Sequence, residues 1–278
     1  MYLLFDIGGT KMRITTSFDG VTFEEPQVYS TPQIFDDSMQ IFDEYYSKIK
    51  EKGPLAKVVG GLPGVLDKKK EYLVSAPNLL GWRGKPIKTE LETRLHAPVI
   101  LENDASLVGL GEATKGTGSG FKIVAYITVS TGLGGVRIVE GRLDESIYGF
   151  EPGHQYIDMS GTVTGKLVDL EVLVSGSGIL FRYGKTASEI TDPKVWEEAS
   201  RYLAFGLHNT IVHWSPDIIV LGGGLILNGF IDIEKVKKEL KEILKIYPEI
   251  PEIRKASLGD YGGLHGGLSY LKLTSQVL

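Results

Sequence analysis

The sequence has no cysteine in its 278 residues. That excludes disulfides, a thiolate nucleophile and cysteine-ligated zinc. It also lacks any stretch approaching the roughly 20 apolar residues of a membrane helix. Basic residues are not in excess: 30 Lys and Arg stand against 35 Asp and Glu, a net charge of −5. This argues against nucleic acid or an anionic membrane as partner, while leaving room for a local basic pocket. The opening residues mix Asp6, Lys11 and Arg13 into a short apolar run. That is not the pattern of a signal peptide, so a cytoplasmic location is expected. There is no low-complexity tract and no long linker.

What is present is alternation. "YLLFDIGGTKMRITTSFDG" reads as strand, turn, strand and a second turn at Asp19-Gly20. "DDSMQIFDEYYSKIKEKG" places Met39, Phe42, Tyr46 and Ile49 at helical spacing, with an Asp pair ahead and Gly53-Pro54 as the stop. Later come a strand running into a Gly/Pro loop at "LAKVVGGLPGVLD", and a strand opening a helix at "APVILENDASLVGLGEA". Strand and helix alternate throughout, so the class is α/β. "AYITVSTGLGGVRIV" repeats the plan of "LLFDIGGTKMRIT", which suggests two lobes of similar design. Trp196, Ala199, Leu203, Leu207 and Ile211 mark one face of a core helix in the second half.

Residues 5–11, "FDIGGTK", carry the first site. Phosphate oxygens need many donors in a small volume. Glycine lets backbone N–H groups approach closely, and a hydroxyl such as that of Thr10 adds another donor. A carboxylate among phosphates would be repelled unless a cation lay between, so Asp6 reads as holding hydrated Mg²⁺. A plain hairpin turn with a surface aspartate is the simpler alternative, and the second small-residue turn, "STGLGG", weakens it. In "LENDAS", Asn103 can exchange hydrogen bonds with a hydroxyl and Asp104 can take a proton from one, at a strand end where ligands collect in open sheets. Asn and Asp also cap helices, and on these residues alone capping is the simpler account. "FEPGHQYID" sets Glu151 and His154 about a rigid Pro-Gly turn suited to neighbouring sugar hydroxyls. "APNLLGW" carries Asn78 and a Trp82 that reads as exposed, unless it is an aromatic plug. "LGGGL", with Gly222, Gly223 and Gly224, permits flat contact with a planar ring such as adenine, or merely starts a helix.

Taken together and in this order, these clusters resemble the ROK family of sugar kinases, within the actin/hexokinase/Hsp70 superfamily, over nearly the whole chain. "DIGGTK" and "STGLGG" are similar to the family's phosphate turns, and "GLPGVLD" and "APNLLGW" to its sugar-side loops. "LENDA" resembles its catalytic segment, "EPGH" its sugar motif, and "LEVLVSG" and "LGGGL" its later helix start and adenosine turn. The resemblance implies a two-lobed actin-like ATPase (ribonuclease H-like) fold with mixed sheets and an interlobe cleft. The lobes would be 1–106 and 107–265, with a C-terminal helix, 266–278, returning to the first. It implies ATP and Mg²⁺ as cofactors and transfer of a phosphoryl group to the primary 6-hydroxyl of a hexose. Glucose leads, with fructose, mannose, allose and N-acetylmannosamine open. A non-catalytic sugar-binding or regulatory protein is the alternative, and the presence of both Asp6 and Asp104 argues against it. By the same resemblance Asp104 is the base, and Asn103, Glu151, His154, Glu171, Asn78 and Gly64 bind the sugar. Asp6 serves Mg²⁺ through water. Gly8, Gly9, Thr10, Lys11, Ser130, Thr131 and Gly132 cradle phosphates, and Gly222, Gly223 and Gly224 flank adenosine. A homodimer is compatible with the resemblance. Regulatory members carry an N-terminal DNA-binding domain; this chain opens on the hairpin, so repressor function is not expected.

One departure stands out. Typical members follow Gly-His with a Cys-rich zinc loop whose His is also a ligand. "GHQYIDMSGTVTGKLVDLE" has no cysteine, so no structural zinc is expected. The loop is then expected to hold His154 by packing alone, with Tyr156 and Ile157 as anchors.

Overall fold

Leu3, Leu4, Phe5 and Ile7 are all buried, although consecutive side chains of a strand point to opposite faces. Their strand, β1 (Tyr2–Ile7), is therefore covered on both sides, which is why it reads as a nearly unbroken apolar run. The computed structural model describes residues 1–275, and the chain divides into two units. The first comprises Met1–Thr114, Glu145–Gly149 and the segment from Leu258 onward; the second comprises Lys115–Asp144 and Phe150–Ser257.

In the first unit β1 pairs antiparallel with β2 (Lys11–Ser17), and β2 with β3 (Gln27–Ser30). On the other side of β1 lies β4 (Lys57–Leu62), in parallel. A small hairpin of β5 (Val65–Leu66) and β6 (Leu73–Ser75) follows, and the chain returns to the sheet as β7 (Val99–Asn103), parallel to β4. Helices α1 (Phe35–Ile49) and α2 (Ile87–Leu95) cover one face, where Phe5, Ile7, Phe42, Leu91 and Leu95 share a core. Helix α3 (Asp104–Thr114) and the C-terminal α9 (Gly262–Ser275) cover the other, through Leu4, Val59, Leu107, Leu264 and Leu268. These two helices cross closely, since a Cβ on Gly266 would stand 1.8 Å from the Leu107 carbonyl oxygen. The helix expected over 266–278 starts at Gly262, and its positions 276–278 lie outside the described residues.

The structure refines several local expectations. The inward face of α1 also buries Tyr45, whose hydroxyl meets Thr16 Oγ1 at 3.0 Å, while Tyr46 packs partly buried against the same core. The Asp36–Asp37 pair lies within the first turn, not ahead of it, where acidic side chains favour the positive end of the helix dipole. Trp82 is fully buried rather than exposed. Its indole N–H donates to Pro32 O at 3.1 Å and its ring meets Phe35 edge-on. The aromatic plug is what the chain builds there.

The second unit repeats the sheet plan. β8 (Ile123–Val129) pairs antiparallel with β9 (Leu133–Val139), which pairs with β10 (Arg142–Leu143). β11 (Ile218–Gly222) and β12 (Glu252–Lys255) follow on the other side in parallel. The strand orders β3-β2-β1-β4-β7 and β10-β9-β8-β11-β12 thus match in sequence logic and sense. Its helices are α4 (Leu170–Val174), α5 (Gly176–Tyr183), α6 (Pro193–Trp214), α7 (Gly224–Leu227) and α8 (Ile233–Ile243). Asp192 caps α6 by accepting from Lys194 N at 2.9 Å, with Pro193 in the first turn. Ala199, Leu203, Leu207 and Ile211 of α6 are buried as their spacing predicts, with Trp196 packed partly buried beside them.

Candidate active site

Asp6 sits one residue before the end of β1, opposite Arg13 of β2 and Gly61 of β4. The turn beyond it closes through Gly8 N donating to Lys11 O at 2.8 Å, and Thr31 ties it down by donating from its hydroxyl to Gly8 O at 2.8 Å and from its N–H to Thr10 O at 3.0 Å. Gly8 and Gly9 are partly exposed and Thr10 and Lys11 exposed, so the turn is open to solvent. Asp6 itself is buried. Gly263 of α9 packs on its carboxylate, where a Cβ would come within 2.7 Å of Cγ. Arg13 stands 3.8 Å away and is shared with Asp260 at 3.0 Å. The Asp6 pKa is pushed up to about 7, first by burial, then by the negative charge of Asp104; Arg13 offsets only part of this.

Asp104 opens α3 directly after β7. Its Oδ1 accepts from Ala105 N at 2.8 Å. A carboxylate in a first helical turn gains up to about 2 kcal/mol from the helix dipole. Its pKa nevertheless rises to about 6, so burial outweighs both the dipole and the backbone bonds. Asp104 and Asp6 flank Gly61: a Cβ there would lie 3.2 Å from Asp104 Cα and 3.4 Å from Asp6 Oδ1. Two carboxylates whose charges repel, Asp6 buried and Asp104 half-buried, make a setting that favours a cation. Asp6, at the phosphate-type turn, fits a hydrated Mg²⁺. Among the described residues no cluster of three or more His, Asp or Glu could cage a metal.

Asn103 does the capping that its residue type allows, accepting from Ser106 N at 3.1 Å. Its amide also donates to Gly64 O at 3.0 Å. A carboxamide has four hydrogen-bonding positions, so these two bonds fix its orientation and still leave capacity for a hydroxyl. Gly64 has φ 106°, a conformation reserved for glycine. Asn78 is exposed and packs against the turn, 3.0 Å from where a Cβ of Gly9 would sit. The first unit thus assembles Asp6, Gly8, Gly9, Thr10, Gly64, Asn78, Asn103 and Asp104 from strands, turns and loops far apart in sequence.

In the second unit Ser130 and Thr131 lie exposed between β8 and β9. Ser130 O accepts from Gly176 N at 2.8 Å, and Thr131 O from Ser177 N at 2.9 Å and Ser177 Oγ at 2.7 Å. The start of α5 therefore locks the turn's carbonyls. Glu171 does likewise from α4, accepting from Leu133 N at 2.7 Å. Beyond β11, Gly223 has φ 85° and a Cβ on it would meet Val129 O at 2.3 Å, so this turn demands glycine. Gly222, Gly223 and Gly224 then lead into α7.

Glu151 and His154 bracket a single 3-10 turn, Pro152–His154. Here the expectation of packing alone fails. His154 Nδ1 lies 2.7 Å from Asp169 Oδ2, and this bond raises the His154 pKa. Gln155 fastens the loop to α6: its amide donates to Pro152 O at 2.8 Å and Gly206 O at 3.3 Å, and its oxygen accepts from Asn209 at 2.8 Å. Tyr156 is largely exposed and anchors nothing, while Ile157 does pack against the core. The following segment organises itself around Asp158, which accepts from Val163 N at 2.8 Å and Ser160 Oγ at 3.0 Å. The sequence reading missed Asp169 and Gln155; the acid two residues before Glu171 was the available signal. A cavity of about 770 Å³ beside this loop is lined by Thr162, Thr164, Arg182 and Tyr202 among others, and by none of the predicted site residues. The Arg182 guanidinium there donates to Leu173 O and Tyr183 Oη, a structural arrangement.

A model of the ROK family matches residues 2–273. The chain belongs to the ROK family. It is 30% identical to the glucokinase of Halalkalibacterium halodurans over 257 residues, which span 78% of this chain and 76% of that one. It is also 30% identical to the N-acetyl-D-glucosamine kinase of Pectobacterium carotovorum over 302 residues, 96% of this chain and 97% of the relative. The crystal structure of a ROK hexokinase from Thermus thermophilus superposes with a TM-score of 0.84, at 28% identity and 99% coverage of each chain. The α/β architecture is accordingly the actin-like ATPase fold of ROK sugar kinases. No helix among the described residues is long and apolar enough to cross a membrane.

Proposed function

We propose that this ROK protein is an ATP-dependent kinase of hexoses that phosphorylates the primary 6-hydroxyl, with glucose as the leading acceptor. The observation that carries the reading is the pair of carboxylates flanking Gly61, both with raised pKa values, one at a glycine-rich turn and one at a strand end. Two such groups serve two tasks. Asp104, with a pKa of about 6, is ionised at neutral pH and still basic enough to take a hydroxyl proton. The freed oxygen attacks the γ-phosphorus, the bond to the β–γ bridging oxygen breaks, and the electron pair leaves on the diphosphate. Asp6 would hold Mg²⁺ through water, and the ion would supply neutralising charge to the phosphates.

The remaining residues divide by unit. The first supplies Asn103, Gly64 and Asn78 toward sugar hydroxyls and the Gly8–Lys11 turn toward phosphates. The second supplies Glu151, His154 and Glu171 toward the sugar, the Ser130–Gly132 turn toward phosphates, and Gly222, Gly223 and Gly224 toward adenosine. With its Nδ1–H given to Asp169, a neutral His154 would offer Nε2 as an acceptor to a ring hydroxyl. The names of the relatives, glucokinase and N-acetyl-D-glucosamine kinase, support a hexose and leave its identity to experiment. A coupled ADP-release assay across glucose, fructose, mannose, allose, N-acetylmannosamine and N-acetylglucosamine tests the reading. Glucose is expected to give the highest kcat/KM. Absence of ADP release with every sugar would point to a non-catalytic binding protein.

A further inference from the structure

The residue before Asn103 has no part in the chemistry above, yet it is a buried acid. Glu102 is only 4% exposed, and an ionisable group at that depth needs partners. Two arrive from distant elements. Lys70, from the loop joining β5 and β6, forms an ion pair with Glu102 Oε1. Tyr270, from α9, donates its hydroxyl to the same carboxylate, and burial together with that negative charge pushes the tyrosine pKa up to about 12.

The loop that delivers Lys70 is built for the purpose. The Asp67 carboxylate accepts from Lys69 N at 3.1 Å, Glu71 N at 2.6 Å and Tyr72 N at 3.1 Å. Lys70 N donates to Asp67 O at 2.9 Å. Inside this frame Lys70 is held at φ 55°, a backbone conformation that costs free energy for any residue with a Cβ and persists only when its surroundings over-determine it. The same hairpin begins next to Gly64, whose carbonyl takes the Asn103 amide at 3.0 Å. The hairpin is therefore tied to β7 at two points, its base through Asn103 and its tip through Glu102. Consecutive residues of one strand end receive both ties, and Asp104 comes next.

We propose that Lys70, Glu102 and Tyr270 form a positioning network that fixes the β5–β6 hairpin and α9 to the strand end presenting Asn103 and Asp104. None of the three touches the reacting atoms. Glu102 acts through its neighbours: with Lys70 engaged, Gly64 O stays in place to orient the Asn103 amide. The role in sugar binding rests on the kinase reading; the tether itself does not.

The test uses the full-length protein with Lys70→Met and Lys70→Arg. Lys70 is half-exposed on a loop, so both variants are expected to fold, which a thermal melt checks. Lys70→Met should raise the sugar KM about tenfold, since small misplacements of positioning groups have effects of this size or larger. The ATP KM should stay within about twofold, and Lys70→Arg should restore the sugar KM. Amide hydrogen exchange should accelerate selectively over residues 64–75 and 103–106 in Lys70→Met. An unchanged sugar KM with unchanged exchange would overturn the proposal. So would equal rises in both KM values with exchange gains spread over the whole unit, the signature of general loosening. If the wild type phosphorylates no sugar, the kinase reading fails, and exchange alone still decides whether the tether exists.

Discussion

His154 Nδ1 and Asp169 Oδ2 stand 2.7 Å apart, and Asp169 uses its other oxygen to cap α4 by accepting from Val172 N at 3.1 Å. One carboxylate therefore fixes both an imidazole on a 3-10 turn and the start of the helix that carries Glu171. A carboxylate partner to His Nδ1 fixes the tautomer and ring orientation, as an acid bonded to the far nitrogen does for metal-bound histidines.

Asp169→Asn should separate these duties. Asparagine caps helices as well as aspartate, so α4 should persist, while the charge on His154 loses its support. The His154 pKa is raised in the folded protein, chiefly by Asp169. Its contribution to stability is therefore full below the unfolded value of about 6.5 and is lost as pH rises through the folded value. The melting temperatures of wild type and variant should differ more at pH 5.5 than at pH 8.5. NMR titration should find a lower His154 pKa in the variant. The sugar KM should rise several-fold with the ATP KM unchanged, and a sugar KM unaffected by Asp169→Asn would dissociate this pair from the substrate.

The acid limb of the rate profile should report the two carboxylates beside Gly61. Asp104 must be ionised to accept a proton, so kcat/KM for the sugar at saturating Mg²⁺ should rise through about pH 6 and level off above it. Asp6 has a pKa of about 7 without a cation. Protons and Mg²⁺ then compete for it, and limiting the metal should move the acid limb upward. Steady-state rates from pH 5 to 8.5 at two Mg²⁺ concentrations check this; a limb insensitive to Mg²⁺ would argue against Asp6 as the magnesium residue.

Asp6→Asn should stabilise the metal-free protein while abolishing turnover. The folded-state pKa of Asp6 is raised from 3.8 to about 7, so the proton is bound more tightly in the folded chain. The stability this confers is complete below about pH 4 and is lost as pH rises through about 7. The amide removes that ionisation cost, up to about 4 kcal/mol at pH 8 if the whole difference is realised, and makes little difference at pH 4. Urea melts at both values measure it. A variant less stable than wild type at pH 8 would mean that Arg13 depends on Asp6 more than its contact with Asp260 suggests.

The parts of the molecule legible in the sequence are those encoded locally. The hairpin β1–β2 and its repeat β8–β9 announce themselves through apolar runs broken by Gly-Gly-Thr and Thr-Gly turns. The strand-to-helix junction at Asn103-Asp104 follows from a polar cluster between two apolar stretches. What escaped is carried by partners far off in sequence. Asp169 lies fifteen residues from His154, Lys70 thirty-two from Glu102, and Pro32, which receives the Trp82 indole, fifty residues away. Helical periodicity likewise did not pick out Tyr45, whose hydroxyl partner lies on β2.

The central claim is that Asp104 accepts the proton of the sugar hydroxyl. The most direct measurement is single-turnover phosphoryl transfer by Asp104→Asn, alongside calorimetric binding of glucose to the same protein. An amide keeps the shape and one acceptor oxygen yet cannot take the proton, and losing a general base typically costs about 10²–10⁴ in rate. The expected result is a rate reduced by at least about a hundredfold with glucose affinity close to that of wild type. A variant retaining more than about a third of the wild-type rate would show that Asp104 is not the base.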